Sequence, residues 1–90
     1  MLQITYRTQF KKDFKAIQKR NWDIKKLETV IRLIVDEKTL PDSYKDHTLI
    51  GNFIGRRECH IESDWLLIYK IDGNNLILER TGSHSDLFNK

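Results

Sequence analysis

The stretch Trp65-Leu66-Leu67-Ile68-Tyr69-Lys70-Ile71-Asp72-Gly73-Asn74-Asn75-Leu76-Ile77-Leu78-Glu79-Arg80-Thr81 decides the fold. Two apolar runs of strand length, Trp65 to Ile71 and Leu76 to Thr81, flank Asp72-Gly73-Asn74-Asn75. Gly and Asn tolerate the positive φ that tight hairpins need, so an antiparallel hairpin is expected here. Just upstream, Phe53 to Ile61 is a third run, and Glu62-Ser63-Asp64 supplies the turn into Trp65. The second half of the chain therefore reads as a meander of short strands.

Working back towards the N-terminus, the period changes twice. Leu2, Ile4 and Tyr6 alternate with Gln3 and Thr5, the pattern of a half-buried strand. From Thr8, a candidate N-cap, Phe10, Phe14 and Ile17 recur at helical spacing beside a polar stripe of Lys11, Lys15 and Lys19. Asn21-Trp22-Asp23 interrupts that helix and caps a second, in which Ile24, Leu27, Val30, Ile31, Ile34 and Val35 share one face. Leu40-Pro41-Asp42-Ser43 stops it, and a loop is expected through Gly51-Asn52. The expectation is one α+β domain over residues 1–90. An N-terminal strand and a two-helix hairpin precede an antiparallel meander of three or four strands packed on the helices, and a short tail follows.

Composition narrows the class. Ninety residues suffice for one modest core, and a single cysteine, Cys59, excludes an internal disulfide. No apolar run approaches the roughly 20 residues of a membrane span, and no secretory signal is visible, so a cytoplasmic protein is expected. The net charge of +3 is unevenly spread. Residues 1–20 carry Arg7, Lys11, Lys12, Lys15, Lys19 and Arg20 against Asp13, a balance of +5 that leaves −2 for the rest. Such asymmetry suits a segment facing a polyanion, although a solvated helix face beside a core has the same look.

The polar residues of the second half form a chemical inventory. Alternation in Phe53–Ile61 puts Arg56, Glu58 and His60 on one face and Arg57, Cys59 and Ile61 on the other. Asp64 and Trp65 open the next strand, Arg80 and His84 flank Thr81-Gly82-Ser83, and His47 lies in the loop after the second helix. Adjacent strands can bring these groups together. A base for a ribose 2′-OH, an acid for a leaving 5′-oxygen and a fixed cation for a phosphate are what metal-free RNA cleavage requires. Imidazoles suit the proton transfers because their ordinary pKa lies near neutrality. Strict alternation, however, puts Arg80 on the face of Leu76 and Leu78, so a bulge must re-aim it. Each residue also has a structural reading: Arg80 paired with Glu79 or Glu58, Trp65 in the core, Phe88 closing a sheet edge. No two histidines have a ligand-like spacing, so no metal and no cofactor are expected.

The strings Tyr44-Lys45-Asp46-His47, Arg57-Glu58-Cys59-His60, Asp64-Trp65-Leu66-Leu67-Ile68-Tyr69-Lys70, Glu79-Arg80-Thr81-Gly82-Ser83-His84 and Leu87-Phe88 resemble, in order and spacing, the YafQ branch of the RelE toxin superfamily. The resemblance spans nearly the whole chain. It implies a bacterial type II toxin: a small ribonuclease that cuts mRNA in the ribosomal 30S A site and is neutralised by an acidic cognate antitoxin, commonly in a heterotetramer. It implies that His47, His60, Asp64 and His84 are the acid–base positions and Arg80 the phosphate-binding arginine. Trp65 and Phe88 would then be aromatic positions around the substrate.

Chemistry and resemblance converge on attack by the 2′-OH, leaving a 2′,3′-cyclic phosphate and a 5′-OH. Arg80 would hold the phosphate, His84 would act as general acid, and Asp64, His47 and His60 would share the base and orienting roles. Trp65 and Phe88 would stack on unpaired bases, and Lys11, Lys15 and Lys19 would dock on ribosomal RNA. Two other readings keep the fold without the nuclease: a nucleic-acid-binding or gyrase-poisoning toxin, and a pure interaction module. The set of three histidines argues against the gyrase poison, and the intact motif against an interaction module whose toxin chemistry is vestigial.

Overall fold

The hairpin centred on Gly73 forms as its turn chemistry demands, with that glycine at φ 61°. The computed structural model describes residues 1–49 and 55–88. In chain order it comprises β1 (Gln3–Tyr6), α1 (Thr8–Lys19), α2 (Ile24–Val35), β2 (His47–Thr48), β3 (Arg57–Glu62), β4 (Trp65–Asp72), β5 (Asn75–Gly82) and α3 (His84–Phe88), with a 3₁₀ turn at Asp42–Tyr44. The strands form one five-stranded sheet in the order β1-β5-β4-β3-β2.

The sheet is mixed. β2 to β5 form the antiparallel meander, while β1 pairs in parallel with β5, Ile4 lying opposite Leu76. The helical hairpin carries the chain from β1 across one face before the meander begins, which is what lets the first and last strands run side by side. β2 was expected to be loop: two residues are too few to show alternation. The run expected over Phe53–Ile61 is a strand from Arg57 onwards and continues to Glu62. Phe53 and the Gly51-Asn52 loop lie outside the described residues.

Both helices start for local reasons. Asp23 caps α2 by accepting the Lys25 backbone N–H at 3.1 Å. Thr8, expected as the cap of α1, is instead its first residue, and the cap position is Arg7, which makes no side-chain cap. The apolar faces pack onto one side of the sheet. Phe10, Ile17, Leu27 and Val30 meet Leu67 and Leu78, all at 2 % exposure or less. Burying each such side chain contributes roughly 1.5–3 kcal/mol. The opposite side of the sheet carries a smaller apolar cluster, Leu66, Ile68 and Leu87, with Phe88 packed against it. The tail is therefore not loose: it is a short helix laid on the sheet.

Two bulges aim side chains. Register shifts between His60 and Glu62 on β3, and between Leu78 and Arg80 opposite Tyr69 and Ile68 on β4. The second makes Glu79 the extra residue and aligns Arg80 with Ile68 instead of with the face of Leu78. The conflict between strict alternation and a functional Arg80 is resolved in this way.

Candidate active site

Three histidines from three elements line one face of the sheet. His47 on β2 lies opposite Glu58 on β3, two residues before His60, and α3 sets His84 beside them. The ring centroids of His47 and His60 are 6.4 Å apart, and those of His60 and His84 are 5.9 Å apart. Beneath them is Glu58, only 6 % exposed. Its Oε1 lies 3.2 Å from His60 Nε2 and 3.8 Å from His47 Nε2. Glu58 shares His60's face, as alternation required, but its contact with two histidines depends on the β2 register. Sequence alone did not show that.

Each imidazole has one nitrogen tied, and the tie fixes which nitrogen carries hydrogen. His84 Nδ1 lies 2.6 Å from Asp64 Oδ1, and the His84 backbone N–H donates to the same oxygen at 2.9 Å. These hydrogen bonds hold the Asp64 carboxyl below its ordinary range, the backbone one first. An ionised carboxylate only accepts, so Nδ1 of His84 donates and Nε2 is left for substrate. His47 Nδ1 lies 2.7 Å from the Lys45 carbonyl oxygen, which likewise only accepts; Nε2 of His47 is then the basic nitrogen. Lys45 supports that contact from a left-handed conformation, φ 50°.

The loop bearing His47 is anchored from the other side of the sheet. Asp46 accepts from Arg57 Nη2 at 2.9 Å and from the Tyr69 hydroxyl at 2.6 Å. Burial, with Asp46 behind it, pushes the Tyr69 hydroxyl pKa up. Cys59, on the same side, is fully buried, and its thiol is pushed up to about 12 chiefly by desolvation. A thiol in that state is not a nucleophile at neutral pH.

Arg80 pairs with neither glutamate named from the sequence. Its Nε donates to Asp13 Oδ2 at 2.7 Å and its Nη2 to Oδ1 at 3.2 Å, across 67 residues. Asp13 also accepts the buried Thr81 backbone N–H at 3.1 Å. The guanidinium is thus fixed along one edge. Glu79 instead faces Arg56 at 3.4 Å and Arg7 at 3.7 Å.

Of the expected aromatic pair, only Phe88 sits at the site. It is half-buried, with its ring 6.4 Å from that of His84. Trp65 is 2 % exposed, packs 5.1 Å from Trp22 and donates its indole N–H to Thr81 Oγ1 at 2.9 Å. A ring so enclosed cannot stack on bases, and the expectation for Trp65 is corrected to a core role. Lys11, Lys15 and Lys19 are all exposed on α1.

One grouping was invisible to sequence spacing. Donor atoms of Glu58, His60 and His84 lie within 4.8 Å of one another, although the two histidines share no ligand-like interval in the chain. Two imidazoles and a carboxylate suit a zinc or copper ion. Alternation along β3 pairs Glu58 with His60, and only the placement of α3 adds His84 to them.

Comparison with known proteins agrees with this architecture. Residues 2–89 match the family described as bacterial toxin of type II toxin-antitoxin system, YafQ. The mRNA interferase toxin YafQ of Escherichia coli K12 is 45% identical over 86 residues, which cover 94% of each chain. The toxin in the E. coli DinJ-YafQ complex superposes with a TM-score of 0.91 at 44% identity, covering 98% of this chain and 99% of that one. A metal-bound toxin from Helicobacter pylori does so with a TM-score of 0.91 at 43% identity, covering 98% and 100%.

Proposed function

This chain belongs to the YafQ family of bacterial type II toxins and, like its E. coli relative, is an mRNA interferase, an endoribonuclease; we propose that its three-histidine face performs the cleavage. The observation that carries the proposal is the row His47, His60, His84 over buried Glu58, with one nitrogen of each outer ring fixed by an acceptor.

In this mechanism Nε2 of His47 takes the 2′-OH proton, because its Nδ1 is committed to Lys45. His60, held by Glu58, orients the attacking ribose and shares the base role. Protonated His84, steadied through Nδ1 by Asp64, delivers a proton from Nε2 to the leaving 5′-oxygen. Arg80 meets the phosphate with the edge that Asp13 leaves free. A fixed donor of that kind typically lowers the barrier by about 3–4 kcal/mol. The products are a 2′,3′-cyclic phosphate and a 5′-OH. Phe88 stacks on a base beside the site, a contact worth about 1–3 kcal/mol. Dependence on the 2′-OH restricts the reaction to RNA.

The reaction as proposed needs no metal, because side chains supply both proton transfers. Relatives nevertheless include a metal-bound toxin. Glu58, His60 and His84 are the residues that would hold a cation here. Bound there, it would act as a Lewis acid on the imidazole nitrogens and withdraw them from proton transfer.

We further propose that cleavage occurs in the 30S A site, where the exposed Lys11, Lys15 and Lys19 of α1 dock on ribosomal RNA. A cognate acidic antitoxin neutralises the protein, commonly as a heterotetramer; the E. coli relative is seen in complex with DinJ. No helix of the described residues is long and apolar enough to cross a membrane, which fits the cytoplasmic setting this role requires.

The test is to cleave a defined mRNA on ribosomes and characterise the ends. Cyclic phosphate and 5′-OH termini are expected, unchanged when zinc and copper are removed by a chelator that leaves the ribosome's magnesium in place. A 5′-phosphate terminus, or loss of cleavage on that chelation, would refute the mechanism.

A further inference from the structure

α3 has five residues and begins with His84, so its own hydrogen bonds are too few to hold it. Ties from outside do so. Ser83 and Asp86 cap it reciprocally: the Ser83 N–H donates to Asp86 Oδ2 at 2.9 Å, and the Asp86 N–H to Ser83 Oγ at 3.1 Å. Arg20, the cap residue just after α1, then grips the same carboxylate through both terminal nitrogens. Nη1 donates to Oδ2 at 2.6 Å and Nη2 to Oδ1 at 3.0 Å, across 66 residues. The guanidinium also lies 5.2 Å over the ring of Trp22, which rests on buried Trp65. Gly82, at φ +150°, keeps the approach open, since a Cβ there would meet Asp86 Oδ2 at 2.9 Å.

We propose that Arg20 is a positioning residue for cleavage: its bidentate grip on Asp86 fixes α3 to α1 and so holds His84 on Asp64 beside His60. The inference rests on the assignment of His84 as general acid. Arg20 shares a small cavity with Asp13 and Arg80, but its side-chain hydrogen bonds go to Asp86, so its effect on cleavage passes through α3 and His84. The arrangement gives a reason for one arginine in the basic N-terminal segment to be there: it anchors the catalytic tail and does not face RNA. Asp86 is held well below the usual carboxylate range, first by Arg20 and then by Ser83, so the clamp stays charged across the whole working pH range.

The experiment is single-turnover cleavage of ribosome-bound mRNA by the wild type, Arg20→Gln, Arg20→Lys, His84→Ala and the Arg20→Gln/His84→Ala double variant, with thermal unfolding of each. Displacement of a catalytic group by a fraction of an ångström predicts a loss of about tenfold in kcat for Arg20→Gln. KM should stay within about twofold, as expected for a group that acts only in the transition state. Arg20→Lys, which keeps one charged donor, should recover most of the rate. In the His84→Ala background, Arg20→Gln should cost less than about twofold, since coupled residues are not additive. Equal losses in both backgrounds, or a loss confined to KM, would show Arg20 binding RNA directly and overturn the proposal. If Arg20→Gln does not fold, the comparison passes to Asp86→Asn, which weakens the same grip from its other side and whose loss must likewise vanish without His84. A His84→Ala protein as fast as the wild type would instead remove the general-acid assignment, an outcome read independently of any Arg20 variant.

Discussion

Replacing Asp13 with alanine should destabilise this protein far more than removal of an ordinary surface charge. Asp13 is 9 % exposed and accepts four hydrogen bonds: two from Arg80, one from the Thr81 backbone and one from Gln9 Nε2. Removing it leaves the Thr81 N–H, on a residue 1 % exposed, with no acceptor, which costs about 1–2 kcal/mol. It also strands the Arg80 guanidinium. Losing one partner of a fully buried pair costs about 3–5 kcal/mol, but the Arg80 side chain is 24% exposed and water recovers a large part of that. The net expectation is about 3 kcal/mol, or a fall in Tm of about 15 °C for a domain of this size. Asp13→Asn keeps one oxygen for Thr81 and should lose about half as much. Equilibrium unfolding in urea, followed by tryptophan fluorescence, gives both values, with an unchanged m confirming that the same surface unfolds. A loss below about 1 kcal/mol, the range of an exposed ion pair, would refute the reasoning: Arg80 would not be fixed by Asp13 in solution.

Other consequences are equally open to measurement. Trp65→Phe removes a buried hydrogen bond to Thr81 and should cost about 2 kcal/mol of stability, yet leave kcat within about twofold; a selective loss of kcat in a stable protein would return Trp65 to the substrate. Asp64 and Asp86 both have folded pKa values below the ordinary 3.8, so the stability they contribute is complete above that pH and drains away as pH falls through the lowered values. Thermal unfolding from about pH 5 to about pH 2 should therefore fall more steeply for the wild type than for Asp86→Asn, and parallel curves would contradict the clamp. Zinc or copper(II) should bind at Glu58, His60 and His84 and slow cleavage, with chelation restoring it. Calorimetry should show Glu58→Gln weakening that binding by about tenfold or more; unchanged affinity would place the cation elsewhere.

What could be read from the sequence was what depends on neighbours in the chain. Asp72-Gly73-Asn74-Asn75 announces its turn because a positive φ is a local demand, and α2 announces itself because six apolar residues repeat at one period. The split of Arg56, Glu58 and His60 from Arg57, Cys59 and Ile61 follows from the pleat alone, and the register bears it out for residues 57–60. Even the bulge beside Arg80 was foreshadowed, by the clash between its charge and its expected face. What escaped depends on residues distant in the chain. Asp13 reads as one acid in a basic helix until the end of β5 arrives beside it 67 residues later. Asp86 reads as a tail residue until Arg20 reaches it. β2 is too short to alternate, and the parallel pairing of β1 with β5 has no local signature. Trp65 was misassigned because a tryptophan beside an acid in a motif looks the same whether it faces bases or core; only its enclosure separates the two.

Cleavage as proposed depends on His84 as the acid that protonates the leaving 5′-oxygen, and one substrate isolates that step. An mRNA whose scissile 5′-oxygen is replaced by sulfur has a leaving group that needs no proton. Single-turnover cleavage of the natural and the 5′-thio message should be compared for the wild type and His84→Ala. His84→Ala should show a large defect on the oxygen substrate, at least about a hundredfold, that nearly disappears on the sulfur one. An equal defect on both would contradict that role and assign His84 to some task other than proton donation.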